Sequence, residues 1–362
     1  VSGVTSVGGL VGSNVNYADV IDSYWNTETT GQDNSEGGTP LTTLEMKGQH
    51  AESNMTGFDF VNVWNVFDND MEISYPYLLN NAQTPSPGLQ PSYAGGDGSA
   101  GNPYWISNWN HLDNIRENLD SNFILMSDLD QNTAGYDQYV NTSDGWNPVG
   151  TDPNRFTGSL DGDDNSISDL FIDRPSMNYV GLLGYTSGSS SITNMSLLDV
   201  DISGEYFVGA LAGYNTGDIN NSYTTGVVDG QQWIGGLVGY NSRGKIINSY
   251  STCDVSGDYT VGGIIGRTVS HSGYPEEVVR NCYATGNVTG IENIGGLIGF
   301  NGGNVERSYS IGQVSGDADI GGLIGVDNDG TVTDSYWDIN TSGIDTSDGG
   351  TGLTTAEMMG GA

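Results

Sequence analysis

Val7-Gly8-Gly9-Leu10-Val11-Gly12 returns with small changes at residues 180–184, 208–213, 234–239, 261–266, 294–299 and 320–325. From residue 180 onward the copies start 28, 26, 27, 33 and 26 residues apart (208 − 180, 234 − 208, 261 − 234, 294 − 261, 320 − 294). A fixed period of about 27 residues, with occasional point insertions, is the signature of stacked rungs. No rung of that length buries its apolar side alone, so each must lie on its neighbours about 4.8 Å away. The reading is an all-β chain folded as a parallel β-helix, a β-solenoid with two or three short strands per rung.

A second block keeps phase with the first: Asn221-Ser222-Tyr223, Asn248-Ser249-Tyr250, Asn281-Cys282-Tyr283, Arg307-Ser308-Tyr309 and Asp334-Ser335-Tyr336. Brief runs of Tyr, Val, Ile and Leu bounded by Gly, Asn and Asp read as strands separated by tight turns. Asn221, Asn248 and Asn281 are placed to stack as an amide ladder. Each Tyr precedes an apolar strand at constant phase, which predicts a buried stack of Tyr223, Tyr250, Tyr283 and Tyr309.

These blocks resemble the GLUG motif family, named for its glycine-leucine-hydrophobic-glycine core and found in large bacterial and archaeal surface proteins. The resemblance covers most of the chain. It implies a secreted repeat architecture and says little about activity. Some members carry metallopeptidase domains, but no His-Glu-x-x-His stands here, and the histidines are His50, His111 and His271. The irregular opening of the main unit resembles the first coils of right-handed β-helices, and the expected hand is carried over from that resemblance.

A long internal repeat organises the chain. Residues 22–48 return as residues 334–360, an offset of 312 (334 − 22). Residues 1–84 therefore read as the last rungs and cap of a first solenoid unit, with Phe58, Trp64 and Tyr77 among its bulky closing residues. Residues 85–92 are a proline-rich, semi-rigid linker. A second unit spans 93–362: an N-terminal cap (93–122), irregular first rungs (123–175), GLUG-type rungs (176–340) and the start of a C-terminal cap (341–362). Trp109, Leu112, Ile115 and Leu119 at helical spacing predict a short capping helix begun at Ser107 or Asn108. Residue 1 falls within a repeat, so the sequence reads as part of something longer.

The charge constrains partners. The chain carries 45 acidic and 9 basic residues, a formal charge of −36, and a hydrophobic fraction of 35%. Such a surface repels nucleic acid and anionic lipid and favours cations or high salt. The Asp surplus over Glu and the two lysines, Lys47 and Lys245, resemble proteins of salt-adapted organisms, haloarchaea in particular. No apolar run reaches the length of a membrane span. Cys253 and Cys282 are offset by about four strand positions in stacked rungs, roughly 13 Å, beyond disulfide reach, so both are expected free.

Candidate sites are sparse. Carboxylates cluster at Asp128 and Asp130, at Asp161, Asp163 and Asp164, and at Asp327 and Asp329; a calcium ion is what such turns would take, although none matches a known calcium-loop spacing. Solvated turns are the plainer reading. Paired carboxylates on a solenoid groove also suit glycoside cleavage, but no cation accompanies them, and no catalytic residues are assigned. Sequons stand at Asn54, Asn141, Asn194, Asn220, Asn287 and Asn340, candidate glycosylation sites on a secreted chain. The insertion at 268–277, with His271 and Tyr274, is a recognition loop or a tolerated insertion. The expected function is structural or adhesive: an extracellular, cell-surface rod whose partners are copies of itself or other surface proteins. The alternative is a glycan-binding or depolymerising adhesin resembling a viral tail fibre.

Overall fold

In a computed structural model the described residues are 7–14, 19–43, 45–60, 63–65, 68–69, 72–73, 76–78, 93–269 and 278–360. The 85–92 linker and the 270–277 part of the insertion lie outside them. The chain divides into two compact units, Val1–Ser92 and Tyr93–Ala362.

In the second unit the repeat becomes a coil of parallel strands. One rung runs from Ser191–Thr193 through Ser196–Ser203 and Tyr206–Gly209, then turns back into Ala212–Asn215 before the next rung opens at Asp218–Asn220. Ser191 pairs with Asp218, 27 residues on (218 − 191), in parallel register. Stacked rungs build three sheets of six, nine and fifteen strands. The inward positions form one continuous apolar column, with Val208, Ile234, Val261 and Ile294 fully buried along one line and Ala212, Val238, Ile265, Ile298 and Ile324 along another. The fold is a parallel β-helix.

The repeated glycines follow from how closely the two strands flanking each Leu approach. A Cβ on Gly266 would lie 2.5 Å from the Ile234 nitrogen and 2.6 Å from the Trp233 carbonyl carbon. Backbones packed that tightly exclude any side chain. A different rule governs the corner before each Tyr. Asn194, Asn221, Asn248, Asn281, Arg307 and Asp334 all have φ between 47° and 55°. Left-handed backbone is cheapest for Gly, Asn and Asp, which explains four Asn and one Asp in this column.

The coil opens with the strand Tyr104–Ile106 and the helix Trp109–Asp113, continued by a 3₁₀ turn over Asn114–Glu117. Asn108 caps the helix, its side chain accepting from the His111 N–H at 3.0 Å. Trp109, Leu112 and Ile115 are buried against the first rungs, where the Trp109 ring meets Trp146 with centroids 5.9 Å apart. Among the described residues no helix is long and apolar enough to cross a membrane. At the other end Tyr336–Asp338 pairs with Thr351–Leu353 in parallel. The first unit holds the same pairing between Tyr24–Asn26 and Thr39–Leu41, followed by the helix Gly48–Asn54.

Candidate ligand surface of the second unit

The Asn-Ser-Tyr block resolves into three jobs. Its first residue turns the corner. Its second points inward, where Ser222, Ser249, Ser308 and Ser335 are buried and each hydroxyl donates to a carbonyl two residues back, at 2.8–3.0 Å. The same oxygens accept N–H groups from the preceding rung: Met195 to Ser222, Ser222 to Ser249, Cys282 to Ser308 and Ser308 to Ser335. Cys282 takes the serine position in its rung, and its thiol donates to the Arg280 carbonyl at 3.3 Å. Burial pushes that thiol up to about 12, which keeps it protonated and inert. Cys253 and Cys282 are both free and buried.

The third residue of the block points outward, which corrects the expected buried tyrosine stack. Tyr223, Tyr250, Tyr283 and Tyr309 are half-buried on the outer face, with centroids 4.6, 4.6 and 5.1 Å apart and planes within 7° of parallel. The inward places beside them belong to Thr224, Ser251, Ala284 and Ser310. Space decides this: a Cβ on Gly236 would sit 2.1 Å from the Ser251 hydroxyl, and one on Gly263 would sit 2.7 Å from the Ala284 methyl. The interior has no room for a phenol there. Phase along the sequence located the column but could not measure the width of the coil.

A second set of rings lies where the strands around the repeated Leu fold back on one another. Tyr179, Phe207 and Trp233 stack at 4.8 and 4.4 Å, and Tyr185, Tyr214 and Tyr240 stack beside them at 4.4 and 4.7 Å. Tyr179, Phe207 and Trp233 hold φ of 63°, 57° and 60°, where later rungs place Asn293 and Asp319. Aromatic residues at left-handed backbone cost energy, offset here by stacking. Arg155 lies 4.2 Å over the Tyr185 ring, and Arg267 lies 4.6 Å over Phe300. Arg155 also lines a polar groove of about 580 Å³ with Arg116, Asn147, Asn154, Thr157 and Ser187.

The carboxylate clusters are turn residues. The Asp161 carboxylate accepts from the Asp163 N–H and the Asn194 amide, while Asp163 and Asp164 occupy left-handed backbone. Asp128 accepts from the Ser166 N–H and hydroxyl, and Asp130 from Asn132 and Thr133. Asp327 ends a buried polar ladder instead. Asn215 donates to Asn241 at 2.7 Å, and further along Asn301 donates to Asp327 at 2.6 Å. Burial, more than nearby Asp348 and Asp329, raises the Asp327 carboxyl. Among the described residues no three His, Cys, Asp or Glu converge to hold a metal.

The sequon residues Asn54, Asn141, Asn220, Asn287 and Asn340 are exposed, whereas Asn194 is half-buried with its amide held by Asp161 and Asn221. The outer amide ladder forms with one step displaced: Asn281 donates to Asn248 at 2.9 Å, and Asn248 donates to Asn220 rather than Asn221 at 3.2 Å.

The second unit is thus a parallel β-helix, tightly packed at its repeated glycines, with aromatic columns on its outer faces and a polar groove beside one of them. The GLUG motif is matched at residues 233–256. Halomucin of Haloquadratum walsbyi is 36% identical over 154 residues, covering 40% of this chain and 2% of its own length. A protein of Evansella cellulosilytica named as a candidate Gly-rich membrane protein is 40% identical over 134 residues, covering 36% of this chain and 15% of its own. The chain therefore spans a small part of these curated relatives. Among solved structures, a candidate immunoglobulin A1 protease of Bacteroides ovatus matches with a TM-score of 0.58 and 22% identity, covering 74% of this chain and 88% of that one. At that identity the likeness speaks for the fold alone.

Proposed function

We propose that this chain is a stretch of an extracellular, cell-surface protein in which β-solenoid units follow one another as a rod. The observation that carries the reading is the 312-residue internal offset, because the return of residues 22–48 as 334–360 gives one sequence the ends of two successive solenoid units, a way to make length. The names of its relatives, halomucin and a Gly-rich membrane protein, support a place at the cell boundary. Its partners are copies of itself or other surface proteins, with cations neutralising the acidic flanks. Electron microscopy of the purified protein in high salt, with and without chelator, tests this. Regular rods support the architectural role; short isolated particles under every salt and calcium condition sink it.

A second reading rests on the outward aromatic columns beside the polar groove. Ring edges and hydroxyls beside Asn, Thr and Ser side chains suit an uncharged glycan, and the acidic surface disfavours an anionic one. Affinity electrophoresis through neutral and anionic polysaccharides decides it. Retardation by neutral chains that is lost in Trp233→Ala supports this reading, and unchanged mobility in all gels removes it.

A further inference from the structure

Charge in the second unit is sorted by side of the coil. Gly204, Gly230, Gly257, Gly290 and Gly316 form a row midway along the long sheet: a Cβ on Gly257 would lie 3.1 Å from the Gly230 carbonyl oxygen, and one on Gly290 would lie 2.9 Å from that of Gly257. Each glycine has one carboxylate within two residues and no basic residue there: Glu205, Asp229, Asp258, Glu292 and Asp317. Asp229, Asp258 and Asp317 are exposed, and Glu205 and Glu292 are half-buried. Where glycine leaves the surface bare, a recess of about 420 Å³ spans Gly204, Gly230 and Gly257, with Asp229 and Asp258 in its lining.

The nine-stranded sheet, set off from the long one by the left-handed corner at Asn221, Asn248, Asn281 and Arg307, has the other sign. Arg243 and Lys245 stand in one rung, Arg280 in the next and Arg307 in the one after. Arg243 and Arg307 are exposed. Over residues 218–221, 243–248, 278–281 and 304–307 these four bases meet two carboxylates, Asp218 and Glu306, a net charge of +2 (4 − 2) on a chain of −36. Glu306 lies 3.9 Å from Arg280 and 3.6 Å from Arg307.

We infer that these two flanks are the two halves of a lateral interface: coils of this chain lie side by side with aligned axes, the Arg243, Lys245, Arg280 and Arg307 flank of one copy against the carboxylate row of the next. Charge complementarity names the occupant, and the coil supplies the fit. Both rows repeat at the rung spacing of about 4.8 Å, so aligned coils match base to carboxylate rung for rung. The glycine recess gives long Arg and Lys side chains a place to enter. Because the two halves lie on different sides of the coil, each added copy still presents one of each, and the contact propagates as an open array. The inference rests on reading copies of this chain as its partners, but not on end-to-end rods.

Sedimentation equilibrium of the full chain tests it in 0.5 M NaCl, where a Debye length of roughly 4 Å screens repulsion between whole coils more than attraction between groups in contact. One variant removes the basic half (Arg243→Gln, Lys245→Gln, Arg280→Gln and Arg307→Gln), and a second removes the acidic half (Glu205→Gln, Asp229→Asn, Asp258→Asn, Glu292→Gln and Asp317→Asn). The parent should grow in mass beyond a dimer with concentration, and each variant alone should associate at least about tenfold more weakly. An equimolar mixture of the two should form pairs that stop at two, since each supplies the half the other lacks. A parent that stays monomeric overturns the inference, as does a variant that associates like the parent or a mixture that does not pair. Circular dichroism and melting of both variants check the coil, and pairing in the mixture itself requires both to be folded. Electron microscopy keeps the two readings apart: rods that never align side by side overturn the lateral interface and leave the rod, whereas short particles that pair laterally do the reverse.

Discussion

Ser249 shows how much a small side chain carries in this coil. Its hydroxyl donates to the Ile247 carbonyl at 2.9 Å and accepts the buried Ser222 N–H at 3.2 Å, and Ser249 itself is fully buried. Ser249→Ala leaves that N–H buried without a partner, at a cost of about 1–3 kcal/mol. Ser249→Cys should cost less, because Cys282 already fills the equivalent place one rung along. Guanidinium unfolding midpoints in the order wild type, cysteine, alanine are expected; an alanine variant as stable as wild type would show the hydroxyl column to be ornamental. His111 makes a pH-dependent contribution. Burial lowers its pKa from 6.5 to about 4, and its Nδ1 accepts the Ser107 N–H. The unfolded chain therefore binds a proton between those values that the folded chain does not. Stability from this group is complete above pH 6.5 and is lost as pH falls toward 4, by roughly 3 kcal/mol. His111→Asn should flatten thermal stability across that window, and a wild-type profile already flat there would refute the assignment. Hydrogen bonds hold the carboxyls of Asp97, Asp130 and Glu357 below their ordinary values.

At the scale of strands and ladders, the polar column inside the coil runs through Thr186, Asn215, Asn241, Thr268 and Asn301 and ends on a carboxylate. Asn215, Asn241 and Asn301 each donate an amide hydrogen to a turn carbonyl, at Gly217, Gly244 and Gly303. Asp327 occupies the next place with a carboxylate, which has no hydrogen to donate to such a turn. Asp327→Asn keeps the acceptor for Asn301, supplies the missing donor and removes repulsion from Asp329 and Asp348. It should stabilise by about 0.5–1.5 kcal/mol at pH 7. Its advantage should shrink in acid, because the raised Asp327 carboxyl is then already protonated. A melting temperature lowered by the substitution at pH 7 would mean that the charge itself is needed. The strands were legible in the sequence because glycine spacing and apolar phase repeat every 26 to 33 residues. The capping helix was legible through Trp109, Leu112 and Ile115. The facing of the tyrosines was not, since it depends on Gly236 and Gly263 crowding the inner side, a contact between distant segments that period alone does not reveal. The paired aromatic columns were missed for the same reason. Tyr179, Phe207 and Trp233 precede the glycine block by one residue in three successive rungs, a signal visible once their left-handed backbone is known.

Across the whole molecule, charge opposes folding in a way no single contact repairs. Nine basic residues face 45 acidic ones, and the arginine pairs that form, whether local as in Arg116 with Asp113 or between rungs as in Arg280 with Glu306, offset little of that charge. Among the described residues no carboxylate faces another on the adjacent rung in strand register; Asp201 and Asp254 lie two rungs apart, roughly 10 Å at about 4.8 Å per rung, close to the Debye length of about 10 Å in 0.1 M salt. At 1 M that length falls to about 3 Å, and repulsion between rungs is largely screened. Apolar burial and the hydroxyl and amide ladders remain. The melting temperature should therefore rise by about 5 °C or more between 0.1 and 2 M salt. Screening does not depend on ion identity, so NaCl and KCl should act alike. Millimolar calcium at constant ionic strength should add little, because Asp161 and Asp130 are spent on N–H groups of their own turns and Asp128 on the Ser166 N–H of a neighbouring segment. Calorimetric melts along both salt series separate the two kinds of cation effect. A smooth rise common to NaCl and KCl assigns the acidic surface to general screening. A sharp increase at millimolar calcium would instead require a specific ion site and would return Asp161, Asp163, Asp164, Asp327 and Asp329 to consideration as its ligands.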